Sequence, residues 1–154
     1  MTDIPAPTVV RPQPQPLLLR VFFSTAWGTL VIVLSAAAWG LIAYFANSVY
    51  VMVAIIIGLA VAYAIVMPLQ PIHKAVALLF FPVAAAATLL AILLGEMLYV
   101  VLVLIRDSQY TFLEAFTATV EGIGEILQMK DTLASGVLGL IGAVVGFFAA
   151  WKDL

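Results

Sequence analysis

From Val21 to His73 the chain contains no Asp, Glu, Lys or Arg. A soluble fold needs a polar face on nearly every element, and so long an uncharged run does not supply one. Two further apolar runs follow, Ala75 to Ile105 and Thr132 to Trp151, and only the first holds an ionisable acid, Glu96. Over the 154 residues, 66% are apolar and 9% charged, with a mean hydropathy of +1.23. Soluble domains average about 45–50% apolar and about 25% charged. These figures exclude a water-soluble monomer. The net charge of −2 excludes a basic nucleic-acid binder, so no nucleic acid is expected as a partner. The absence of cysteine excludes disulfides, thiolate metal sites and cysteine nucleophiles.

The expected fold is all-α: an integral membrane four-helix bundle with spans at about 21–46, 49–67, 75–105 and 132–151. Residues 1–16, MTDIPAPTVVRPQPQP, read as a Pro-rich disordered tail, with PQPQP as a polyproline ligand in the alternative. Residues 17–154 then form the membrane domain. A cleaved signal peptide competes for the first span, with Ser35-Ala36-Ala37-Ala38 as its small-residue site, but the apolar run continues past it to Phe45. Asn47-Ser48 leaves room only for a tight hairpin. Pro68 and Pro71 end the second span, and the third is long enough to tilt, kink at Pro82 or project into water.

An amphipathic interfacial helix is expected over 111–129, between spans three and four. Thr111 and Glu114 fit a capping box. Phe112, Phe116, Val120, Ile123 and Leu127 share one face, opposite Glu114, Glu121, Glu125 and Gln128. Asp131 reads as the N-cap of the last span. Lys and Arg divide as Arg11, Arg20, Lys74 and Lys152 on one side and Arg106 and Lys130 on the other, which places both termini in the cytoplasm.

Small residues recur at helical spacing: Ala36 and Gly40; Ala54, Gly58 and Ala62; Ala84, Thr88, Ala91 and Gly95; Ser135, Gly139, Gly142, Gly146 and Ala149. Lipid tails solvate apolar side chains as well as a helix does, so spans associate by close contact that small residues permit. Glu96 is the outlier, since a carboxyl in hydrocarbon needs a partner or a wet cavity. Tyr44, Tyr50 and Ser48 are its expected partners, and an ion pathway is its functional reading. His73 is the sole histidine, and a lone imidazole makes neither a zinc nor a bis-His haem site. No catalytic constellation, metal or cofactor is expected. Tyr44, Tyr50, Tyr99, Tyr110 and Trp151 read as interfacial anchors, and Trp27 and Trp39 as packed residues.

The runs Trp39-Gly40-Leu41-Ile42-Ala43-Tyr44, Ile57-Gly58-Leu59-Ala60-Val61, Leu93-Leu94-Gly95-Glu96 and Ala149-Ala150-Trp151-Lys152 resemble a group of uncharacterised bacterial four-span membrane proteins. The resemblance covers about residues 25–152. Members of that group often carry an N-terminal zinc-ribbon, which this cysteine-free chain replaces with its Pro-rich tail. The resemblance implies a bacterial inner membrane and no activity. The expectation is therefore a non-enzymatic membrane protein with the lipid bilayer around it. It would be a structural or assembly subunit beside a membrane-protein partner, or a homo-oligomer. The alternative is a small ion- or solute-conducting assembly using Glu96.

Overall fold

The computed structural model describes residues 16–46, 51–70 and 74–152, and every regular element among them is helical. In chain order these are α1 (Leu17–Ala46), α2 (Val53–Val66), α3 (Lys74–Ala77), α4 (Phe81–Ser108), α5 (Phe112–Glu121), α6 (Ile123–Gln128) and α7 (Lys130–Trp151). Short 3-10 turns, Met67–Leu69 and Leu78–Phe80, extend α2 and lead into α4. The expectations for residues 1–15, the 47–48 turn, Tyr50 and His73 lie outside the described residues.

Among the described residues three helical stretches are long and apolar enough to cross a membrane: Leu17–Ala46, Leu78–Ser108 and Lys130–Trp151. The expected second span is shorter than these. Its α-helical part, α2, has 14 residues, or about 21 Å. Pro68 falls in the 3-10 turn that follows, where its missing N–H disturbs no α-helical ladder. Ala54, Ile57, Gly58, Val61, Ala62, Ala64, Ile65 and Val66 of α2 are all buried, so α2 is the central helix of the bundle. Pro82 follows the 3-10 turn Leu78–Phe80, which interrupts the α-helical third run. It sits in the first turn of α4, where proline is tolerated.

Contacts fix the directions. Gly142 of α7 lies on the backbone of Ile55, and Gly146 lies on Leu59, so α2 and α7 run parallel. Gly139 meets Ile92, whereas Phe147 meets Phe81 with ring centroids 5.2 Å apart, so α4 and α7 are antiparallel. On that register α4 outruns the start of α7 by about ten residues, or about 15 Å. Segments α5 and α6 pack against α4 beside this projecting end.

The 111–129 segment departs from its expected form. Gly122 breaks it into α5 and α6. The residues it buries are Ala115, Thr119 and Ile126, whereas Phe112, Phe116, Val120 and Leu127 are exposed. Small Ala115 and Thr119 let the helix approach α4 closely, and the aromatic flank turns roughly 90° away, with the acidic face beyond it. Asp131 is likewise not the cap of α7. Met129 holds that position, and Asp131 sits in the first turn, where its charge favours the helix dipole.

The capping box forms as expected. Thr111 donates to Glu114 Oε2 from its backbone N–H (2.9 Å) and its hydroxyl (2.7 Å), and Glu114 N–H donates to Thr111 Oγ1 at 3.4 Å. The backbone bond first and the hydroxyl second hold the Glu114 carboxyl below the usual carboxylate range. A lowered folded pKa stabilises fully above the unfolded value, about 4.3. That contribution is lost as pH falls through the folded value. The first turn of α5 is therefore expected to fray in acid. NMR of the α5 amides should show this, and Thr111→Ala, which keeps the backbone N–H and removes only the hydroxyl, should reduce the carboxyl's displacement without abolishing it.

Candidate functional site

The tightest seam between α1 and α4 is built from two glycines. A Cβ on Gly40 would come within 2.9 Å of the Gly95 carbonyl and of Leu98 Cβ. Gly95 in turn is covered by the Trp39 side chain, which leaves no room for a methyl there. This close approach seats the indole of Trp39 over α4. Its Nε1–H donates to Glu96 Oε1 at 3.2 Å. Trp39 is 1% exposed and Glu96 is 4% exposed.

The partner of Glu96 is thus Trp39 rather than Tyr44. Five residues separate the two on α1, a rotation of about 140°, so they face different ways. Tyr44 instead lies under Arg106, whose Cζ is 5.3 Å from the ring centroid. Arg106 also pairs with Asp107 at 2.7 Å in an exposed contact. Trp27, read as packed, is 51% exposed. The Trp39–Glu96 bond joins residues 57 apart in sequence. No local spacing signals it.

The small residues singled out on α2 face inward, and so do those on α7 except Ala149, which is exposed. Ala54, Gly58 and Ala62 are buried, and so are Ser135, Gly139, Gly142 and Gly146. On α4, Ala91 and Gly95 are buried with Ala84 and Thr88. The ridges therefore join helices of one chain. The Thr88 hydroxyl donates to the Ala84 carbonyl at 2.9 Å, and Ser24 donates to the Ile65 carbonyl across the α1–α2 contact. Ser135 is fully buried and its Oγ has no hydrogen-bond partner. At the other end, Gln70 Nε2 donates to the Ala150 carbonyl at 3.3 Å, satisfying one of the orphan groups of the last turn of α7.

A groove of about 490 Å³ runs between α4 and α7 on the outer surface. Leu89, Leu90 and Leu93 form one wall, Leu133 and Val137 the other, and Leu127 of α6 reaches it from the end. Among the described residues the interior offers one carboxyl, one indole N–H and one hydroxyl without a hydrogen-bond partner. That set can position helices or hold a proton, and among the described residues it places no nucleophile beside a base. The fold and site define a helical bundle with three stretches apolar and long enough to cross a membrane. No protein-family model, curated protein or solved structure matches the chain.

Proposed function

We propose that the protein is a non-catalytic integral membrane protein, a structural or assembly subunit of a membrane complex. The observation that carries this reading is the closure of Glu96 under Trp39 inside the α1–α4 seam. A carboxyl serving a pathway has to meet water or a mobile ion, whereas one capped by an indole holds two helices in register. On this reading α2 is a short fourth crossing, screened from lipid by its neighbours, and the membrane is a bacterial inner membrane. Support for that location is the resemblance of residues 25–152 to bacterial four-span proteins. The Lys and Arg distribution supports an inward-facing N-terminus and C-terminus.

One observation favours a second reading, conduction. The orphan Ser135 hydroxyl is the kind of group that lines an ion path. Liposome flux separates the two. The full chain should conduct no protons or monovalent cations above empty vesicles, and Glu96→Gln should change nothing. At native expression in mild detergent, it should co-purify with a stoichiometric partner or as an oligomer. A flux abolished by Glu96→Gln would replace this proposal with the second reading, and a partnerless monomer would count against assembly.

A further inference from the structure

We propose that Glu96 binds a proton that it exchanges with one face of the membrane only, through a water held between its free oxygen and Ser135. The inference rests on the membrane reading above and leaves the absence of flux in place, because exchange at a dead end carries no current. Ser135 is 0% exposed, and among the described residues its Oγ is a buried side-chain atom with no hydrogen-bond partner. Buried hydroxyls are paired with protein or with water, so this one calls for a small polar ligand. The register of α4 and α7 sets what it faces. Gly139 lies against Thr88 and Ile92 and 3.5 Å from the Ala54 carbonyl. Ser135 precedes Gly139 by four residues and shares its face. The helices α4 and α7 are antiparallel, so one turn back along α7 brings Ser135 level with Glu96, one turn on along α4. Trp39 occupies Glu96 Oε1, and among the described residues nothing bonds Oε2. Ser135 and Glu96 make no direct bond. A water between them gives both oxygens a partner.

Asp131 and Thr132 lead from this pair to the surface. They precede Ser135 by four and three residues, on the same side of α7. Thr132 is 8% exposed, Asp131 is fully at the surface, and the Asp131 charge is near enough to act on Glu96. Toward the opposite face the interior is sealed. Val61, Ile92 and Phe147 are at most 2% exposed. Gly142 and Gly146 press on the α2 backbone too tightly for a methyl group. The Thr88 hydroxyl on that side already donates to the Ala84 carbonyl. Other charges on the packed helices are few. The helix α1 has Arg20 at its start and Tyr44 under Arg106, and α2 has only Tyr63, level with the end of α7. The helix α4 adds Tyr99 and the Arg106–Asp107 pair, and α7 adds exposed Lys130 beside Asp131. The surface carboxylate of Asp131 is therefore the relay between Glu96 and bulk water.

Dicyclohexylcarbodiimide reads the bound proton. Its nitrogen takes the acid proton, its central carbon takes the carboxyl oxygen, and the adduct rearranges to a stable N-acylurea, so the ionised carboxylate does not react. The full chain is reconstituted in phosphatidylcholine vesicles with the pH set separately on the two sides. External trypsin, cutting after Lys130 or after Lys152, sorts the copies by orientation, and mass spectrometry follows the Glu96 adduct. Adduct formation should fall about tenfold per pH unit once the Asp131 face is above the midpoint of the carboxyl. It should ignore the pH of the Lys152 face. Ser135→Ala removes a partner of the water and should abolish that response within the same reaction time, with the helical circular dichroism unchanged. Glu96→Gln should give no adduct. Adduct formation that follows the Lys152 face, or neither face, overturns the one-sided access. A response unchanged in Ser135→Ala overturns the water site. A wild-type chain that reacts at no pH until dodecyl sulfate unfolds it overturns proton binding. None of these results touches the assembly role, which fails on a partnerless monomer in mild detergent.

Discussion

Gly58→Ala is expected to destabilise the bundle, although alanine is the better helix former. The propensity gain is about 1 kcal/mol in a free helix. Against it stands the α2–α7 seam, where the new Cβ would fall on the Gly139 carbonyl and within 2.7 Å of the Ala143 backbone nitrogen. Both are backbone atoms of a helix that Thr88 and Ile92 hold from behind, so neither can yield without moving α7. Overpacking of this kind typically costs about 1–3 kcal/mol. Gly142→Ala meets the Ile55 carbonyl in the same way. Each variant should unfold at lower denaturing detergent than the wild type, followed by circular dichroism, and the double variant should fail to fold. Gly124→Ala is the control. Nothing lies within 4 Å of its would-be Cβ, so it should gain about 1 kcal/mol of local helix stability. If Gly58→Ala proves neutral, the helices are not in the contact described.

The small-residue faces of that seam were legible in the sequence, because glycines at spacings of three and four on one helix have few other uses in an apolar run, but which helix each face meets was not. The Thr111–Glu114 cap was legible too, since it depends on residues within one turn; the start of α4 beside Pro82 was not, because the apolar run continues unbroken from Ala75. The α5–α6 segment was harder. Its aromatic residues dominate any amphipathic reading, but small Ala115 and Thr119 decide which side touches α4, and closeness of approach is not written in hydrophobicity. Trp39–Glu96 was hidden for another reason. Tyr44 and Trp39 sit on the same helix about 7.5 Å apart along its axis, and the register and rotation set by Gly40 against Gly95 select between them. Local periodicity places a residue on a face; it does not say which facing helix supplies the partner.

Glu96→Leu and Glu96→Gln should have opposite consequences. A glutamine keeps a carbonyl oxygen where Glu96 Oε1 accepts from Trp39, while removing any need to hold a carboxyl in an apolar seam. The glutamine variant should match or exceed wild-type stability. Leucine has similar bulk but no acceptor, and it strands the indole N–H of a tryptophan that is 1% exposed. A buried donor left unsatisfied costs about 1–3 kcal/mol. Trp39→Phe performs the reciprocal cut and strands the carboxyl. Combining it with Glu96→Leu should recover part of the loss, because removing both partners leaves no orphan. A double-mutant cycle on unfolding free energy measures this directly. The emission of Trp39 adds an optical reading when Trp27 and Trp151 are replaced by phenylalanine. A positive coupling between the two positions identifies the pair as a structural latch between α1 and α4. Additive losses would mean that Glu96 and Trp39 act separately, and the carboxyl would then need another reason to be buried.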